Sequence, residues 1–353
     1  MISSPSIHDH EETSEEDSLE RLLGSREVPA RYLPLPGSVS PALKRAIATA
    51  SGDFLDPPPR TAVAWLQIRK ALADQAAVRA RIVQEQLEVQ VATLNVGGIP
   101  CYRLSPRTAN RANRERLLIH LHHGGFTFGG GEGATFEGAL IAHFSQTVTL
   151  SVDYRMPPEH PFPAGLADCM TVWKTVLPHV TPASVGLLGS SAGGGLAMAT
   201  LLRLQREGLP LPGALFLGAP CCDLSKTGDS YYVNTDVDGE LLSYEGAYES
   251  LIRLYAGGHD IEDPLLSPIH GDLSGFPPTL LFSGTRDLLL SDTVRAHRKL
   301  RQAGVDANLH VYEGQSHLQY ATAFPAVESE EALQEIARFL DHHLARQGAR
   351  AWS

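Results

Sequence analysis

Long apolar runs, basic clusters and a cysteine framework are all missing from this chain, and each absence closes a class of function. No stretch of 18 uninterrupted apolar residues occurs, so nothing offers the length of roughly 20 apolar residues that a membrane-spanning helix needs. The N-terminal region carries His10-Glu11-Glu12-Thr13-Ser14-Glu15-Glu16-Asp17 rather than a basic segment followed by an apolar one, which is not the pattern of a secretory leader. Lysine and arginine number 29 against 40 aspartate and glutamate, a formal charge of −11. Such a surface repels phosphate backbones, and nucleic acid is not an expected partner. The four cysteines, Cys101, Cys169, Cys221 and Cys222, have neither zinc spacing nor a disulfide pattern, and the adjacent pair is badly placed to bridge itself. They read as buried reduced thiols in a soluble, cytoplasmic protein.

What is present is the composition of a large globular core, with 353 residues of which 43% are hydrophobic and 20% charged. Residues 1–25 gather negative charge with few apolar side chains and read as a disordered acidic tail. Two helical patterns flank the breaker Asp56-Pro57-Pro58-Pro59, the second with apolar Ala64, Ile68, Leu72 and Ala76 on one face. The segment 38–86 is therefore expected to be an N-terminal helical cap. Alternation in Leu87–Ala92 and Ile99–Leu104 around Gly97-Gly98 predicts an antiparallel hairpin. Strands are then predicted at Arg116–His122, Thr147–Asp153, Val185–Leu188, Gly213–Leu217, Thr279–Ser283 and Asn308–Tyr312, with helices at Phe136–Phe144, Leu166–Leu177, Gly194–Glu207 and Asp292–Ala303 between most of them. That order predicts an α/β fold: a mostly parallel eight-stranded sheet with helices on both faces. The core is expected over 87–220 and 269–348, interrupted by a second cap segment, 221–268, with a helical run from Leu241 to Tyr255. No internal repeat is visible.

Ligands of such sheets bind beyond the carboxyl ends of the strands, and the reactive residues cluster there. Gly189-Ser190-Ser191-Ala192-Gly193 lies between a strand and a helix and fits the G-x-S-x-G elbow, whose small residues let the chain turn sharply and present the central serine. Small-residue strings also arise where a helix packs closely on a strand, so the elbow needs its context. A serine hydroxyl requires a base and a group to orient that base. Asp287 follows one strand and His317 follows the next, giving the chain order Ser191, Asp287, His317. Asp292 is a rival to Asp287 but sits where a helix cap or first turn is expected. His310, within a strand, and His342 and His343, on a terminal helix, read as packing or surface positions.

His122-His123-Gly124-Gly125-Phe126 ends another strand, and its glycines can turn backbone N–H groups toward a developing oxyanion. Gly124, Gly125 and Ala192 are the expected donors. The histidines offer an alternative, in which His120 and His122 on one strand face bind a metal and the protein is a metallohydrolase. Gly124 and Gly125 stand where such a cluster would extend, and no acidic residue follows closely. No metal site is therefore expected.

Together, His122–Phe126, the stretch Asp153-Tyr154-Arg155-Met156-Pro157-Pro158-Glu159-His160-Pro161-Phe162-Pro163-Ala164, the pentapeptide 189–193, Ser267-Pro268, Asp287 and His317 resemble the hormone-sensitive-lipase-like group of α/β-hydrolase carboxylesterases. The resemblance runs from about Arg116 to the C-terminal helix. It implies hydrolysis of short-chain carboxylic esters through a covalent acyl-enzyme, with no cofactor, and a homodimer would be in keeping with it. Linear esters, acetyl esters and lactones all present the same carbonyl. Two positions depart from the family pattern: His123 replaces the first glycine of His-Gly-Gly-Gly, with outward packing its expected role, and Ser190 stands where Asp or Thr is common. Plant gibberellin receptors resemble the same family without the catalytic histidine, so a small-molecule receptor is the contrasting reading, against which His317 stands.

Overall fold

The computed structural model describes residues 29, 30, 32–49, 55, 57–108, 113 and 115–345. The chain divides into two units, 1–34 and 35–353. The acidic tail expected over 1–25 lies outside the described residues, and in the first unit residues 29, 30 and 32–34 carry neither helix nor strand.

In the second unit, β1 (Val89–Val96) and β2 (Ile99–Pro106) form the antiparallel hairpin around Gly97-Gly98, with Val96 opposite Ile99. The strands β3 (Leu117–Leu121), β4 (Thr149–Val152), β5 (Val185–Ser190), β6 (Ala214–Gly218), β7 (Thr279–Gly284) and β8 (Ala307–Tyr312) pair in parallel, and β2 lies antiparallel against β4. The order is β1-β2-β4-β3-β5-β6-β7-β8. From β3 the chain steps outward to β4 and then returns past β3 to β5. That reversal opens a crevice at the carboxyl ends of β3 and β5.

Among the described residues the helices of eight residues or more are α1 (Pro41–Thr49), α2 (Ala62–Gln86), α3 (Thr135–Ser145), α4 (Ala164–Val176), α5 (Ala192–Arg206), α6 (Glu249–Ala256), α7 (Leu290–Gln302) and α8 (Val327–His343). Because successive strand side chains point to opposite faces, the sheet splits its apolar residues between two cores. Ile119, Leu187, Leu217 and Leu281 pack with Trp173 of α4, Leu201 of α5 and Leu300 of α7. Leu118, Leu188, Phe216 and Leu280 face Leu140 of α3 and Ile336 of α8.

Two segments outside this sandwich meet over the crevice. Thr61 caps α2, its hydroxyl accepting the Ala64 N–H at 3.2 Å. Trp65 of α2 then packs with Leu55, with Phe128 from the loop after β3, and with Leu251 of α6. The helix expected from Leu241 to Tyr255 is shorter, Glu249–Ala256. Glu245 is extended at φ −65, ψ 149 and Gly246 takes φ 86, neither of which a helix tolerates. Among the described residues no helix is long and apolar enough to cross a membrane. All four cysteines are buried and unpaired.

Candidate active site

Ser191 joins β5 to α5 with φ 53 and ψ −121, a conformation that costs a non-glycine residue about 1–3 kcal/mol and persists only where its surroundings impose it. They do. The Ser191 N–H donates to Gly218 O at 2.7 Å, and its carbonyl accepts from Cys221 N at 2.9 Å and Gly195 N at 3.1 Å. The flanking glycines are required by space: a Cβ on Gly189 would lie 2.2 Å from Gly193 O, and one on Gly193 would lie 2.0 Å from Leu121 O. The helix thus abuts the backbone of β3. Gly193→Ala must push α5 off β3 and is expected to destabilise the protein by about 1–3 kcal/mol. A urea midpoint equal to that of the wild type would show that this close approach is not needed.

Asp287 and His317 come together because β7 and β8 are parallel neighbours whose carboxyl-end loops touch. Thr285 N donates to Tyr312 O at 3.0 Å and Arg286 N to Gln315 O at 3.0 Å, while Gly314 N donates to Thr285 Oγ1 at 2.8 Å. His317 Nδ1 then lies 3.0 Å from Asp287 Oδ1. Leu289 N also donates to Oδ1 at 2.8 Å, and Ser283 Oγ donates to Oδ2 at 2.7 Å. With Nδ1 donating, a neutral His317 leaves Nε2 as an acceptor; that atom is buried and has no partner among the described residues. Burial alone would lower the His317 pKa, but the charge and hydrogen bond of Asp287, with the charges of Asp238 and Glu240, raise it above the ordinary imidazole value.

After β3 the chain turns tightly, Phe128 N donating to Gly124 O at 2.8 Å. Gly124 takes φ 120 and Gly125 φ 58, backbone that a side chain would strain. The N–H groups of Gly124, Gly125 and Ala192 have no acceptor among the described residues, and Ala192 opens α5, where the helix dipole favours negative charge. A cavity of about 300 Å³ lies beside this turn, walled by Leu72, Ala76, Phe128 and Phe136 and floored by His123 and Gly124. His123 lines that cavity, so the outward packing expected for it is not what the structure shows. Burial holds its pKa down to about 4, leaving it uncharged at neutral pH.

The remaining histidines have other employment. His122 stacks on Tyr154 at 4.0 Å between centroids, its Nδ1 donates to His123 O at 2.8 Å, and burial lowers its pKa to about 3. His120 turns its two ring nitrogens to Ser151 and Glu137. Among the described residues no three His, Cys, Asp or Glu side chains converge as a metal would require. His310 bonds Glu335 at 2.5 Å and stacks on Phe282. Asp292 sits in the first turn of α7, as expected, but is fully buried and accepts from Tyr231 OH at 3.0 Å rather than from His317.

Asp238 escaped the sequence reading. It lies in the 221–268 insertion, fully buried, where it accepts Leu288 N at 2.7 Å and the His317 N–H at 3.3 Å. Burial, then the neighbouring Asp287 charge, raises its pKa. Asn234 adds a donor to Asp287 O at 2.8 Å. The insertion therefore braces the loops that carry both Asp287 and His317, a contact that no local motif announces.

The arrangement has close counterparts. A family model described as alpha/beta hydrolase fold matches residues 118–321. The crystal structure of esterase E25 is 42% identical and superposes with a TM-score of 0.88, covering 91% of this chain and 99% of that one. An esterase from the bacterial hormone-sensitive lipase family is 29% identical with a TM-score of 0.72, over 87% of this chain and 99% of that one. An esterase of Acinetobacter venetianus is 30% identical over 73% of this chain and 84% of its own length. With this fold and these relatives, the chain belongs to the α/β-hydrolase family, in its hormone-sensitive-lipase-like branch.

Proposed function

We propose that this protein is a serine carboxylesterase acting on short-chain carboxylic esters, acetyl esters or lactones. The observation that carries the reading is the pairing of Asp287 with His317 at 3.0 Å, with the imidazole Nε2 left unpartnered, at the same sheet edge as the strained Ser191 elbow. Ser191 Oγ attacks the ester carbonyl while His317 Nε2 takes its proton, and Asp287 fixes the tautomer and stabilises the imidazolium. The N–H groups of Gly124, Gly125 and Ala192 bind the oxyanion. His317 then protonates the leaving alcohol, and a water activated by the same imidazole releases the acid from the acyl-enzyme. Every step uses protein groups, with no cofactor. The relatives' names, esterase among them, support the same chemistry.

The segments 38–86 and 221–268 serve as the cap, a role supported by the meeting of Trp65, Leu251 and Phe128 over the turn that carries Gly124. The cavity of about 300 Å³ beside Gly124 supports small acyl or alcohol groups. Four buried free cysteines suit a reducing compartment, in support of a cytoplasmic location, and the family resemblance extends the reading to a homodimer. The test is turnover of p-nitrophenyl esters of increasing acyl length by purified protein, with and without a serine-directed organophosphate. Expected is hydrolysis that favours short chains and is abolished by the reagent. Ligand binding with neither turnover nor labelling would instead indicate a receptor.

A further inference from the structure

Glu137 is an acidic residue inside a helix segment whose neighbours, Thr135 to Ala142, are all buried. It is 2% exposed itself, and an ionised carboxylate at such a depth is tolerated only when fully hydrogen-bonded. Its partners come from three directions. Ser190, the residue before the candidate nucleophile, donates its hydroxyl to Oε1 at 2.5 Å. Tyr320, three residues after His317, donates its phenol O–H to the same oxygen. His120, on the strand that leads to Gly124 and Gly125, sets Nε2 3.2 Å from Oε2. The strand alternation that puts Ser190 and His120 on one face of the sheet also brings them to α3.

The protons in this cluster can be followed. Ser151 Oγ donates to Ala134 O at 2.6 Å, so it must accept from His120 Nδ1 at 3.0 Å. The other ring nitrogen of His120, Nε2, faces Glu137 Oε2. Burial would raise the Glu137 pKa, but the hydrogen bond and charge of His120, the charge of His123 and the hydrogen bond from Ser190 hold it down to about 2. The glycine at 218 fits the same cluster: a Cβ there would lie 2.2 Å from the Tyr320 hydroxyl and 2.4 Å from Ser190 Oγ.

We propose that Glu137 is a positioning residue for ester hydrolysis, one buried carboxylate that holds the elbow of Ser191, the loop of His317 and the strand of the oxyanion turn in a fixed relation. It touches no substrate and acts through Ser190, Tyr320 and His120. The proposal rests on the hydrolytic reading of the site.

The experiment compares Glu137→Gln, Ser190→Ala, Tyr320→Phe and the pair Ser190→Ala with Glu137→Gln. Each is assayed on p-nitrophenyl butyrate, with active sites counted by organophosphate titration and folding followed by urea denaturation. Glu137→Gln keeps the shape but loses the charge, and kcat per titrated site is expected to fall about 10- to 100-fold with KM little changed. The pair is expected to be no slower than Glu137→Gln alone, because both substitutions cut one network. The acid limb of the pH profile should stay in place, since the groups that raise the His317 pKa are Asp287, Asp238 and Glu240. If Glu137→Gln does not fold, the two single hydroxyl removals carry the test, each expected to lower kcat per site severalfold. Folded variants that keep wild-type kcat per titrated site would overturn the role and leave the hydrolase reading standing, whereas a wild type without turnover would overturn both.

Discussion

Replacing Ser191 by alanine is expected to lower kcat on a short-chain p-nitrophenyl ester by about 10⁶-fold, the loss seen when a triad nucleophile is removed in a comparable site. The reason is chemical and not structural. The Ser191 hydroxyl makes no hydrogen bond within the protein among the described residues, while the backbone N–H and carbonyl that hold the elbow belong to any residue at this position. Alanine therefore keeps the bend at φ 53 and its supports at Gly218, Gly195 and Cys221, and the urea midpoint should barely move. Residual catalysis is expected to exceed the rate in water, since the N–H groups of Gly124, Gly125 and Ala192 remain in place to bind an oxyanion formed by direct attack of water. Ser191→Gly sharpens the point. Glycine relieves the positive φ, so that variant should be at least as stable as the alanine one and equally inactive, the signature of strain held for function. Equal specific activities of wild type and Ser191→Ala would reject Ser191 as the nucleophile.

The sequence was most legible where a pattern is local. Period-two alternation located the hairpin, although β1 runs on to Val96, four residues past its expected end, and the strand–helix order located the parallel strands to within about two residues; the order of Asp287 and His317 anticipated that their loops meet, because parallel neighbours such as β7 and β8 bring their carboxyl ends together. It was least legible where the third dimension makes the contact. Leu241 to Tyr255 carries enough apolar residues to read as one helix, yet Gly246 and the extended Glu245 break it. Asp238 lies in the 221–268 insertion within Thr235-Asp236-Val237-Asp238-Gly239, and only the packing of the insertion against two strand-end loops buries it beside His317. Glu137 did leave a trace. A single carboxylate within Thr135-Phe136-Glu137-Gly138-Ala139-Leu140-Ile141-Ala142 has no solvent face to occupy, which signals a buried partner without naming it. His123 was misplaced for a related reason: the motif fixed its backbone but not the side on which α2 leaves a cavity.

Asp287→Asn tests the other half of the site and should give two effects of separate origin. The carboxylate is fully buried and accepts from His317, Leu289 N and Ser283 Oγ. Asparagine fits the space but supplies one donor group and no charge, so His317 loses both its enforced tautomer and the partner of its imidazolium; kcat at neutral pH is expected to fall about 10⁴-fold. The pH profile moves as well. In the proposed mechanism a histidine base must be neutral, and the His317 pKa stands above the ordinary value in the folded protein, so wild-type kcat/KM should already fall on acidification at a pH above about 6.5. Removing the Asp287 charge lowers that pKa, and the acid limb shifts toward lower pH, though Asp238 and Glu240 still favour the cation. Stability follows the opposite side of the same equilibrium. A histidine pKa raised by folding contributes stability that is fully present below the unfolded value of about 6.5 and is lost as pH rises through the folded value. The difference in unfolding free energy between wild type and Asp287→Asn should therefore be larger at acidic than at alkaline pH. An acid limb left in place in a folded Asp287→Asn variant would mean that Asp287 does not hold the charge of His317, and the pairing at 3.0 Å would then be a hydrogen bond without the catalytic role assigned to it.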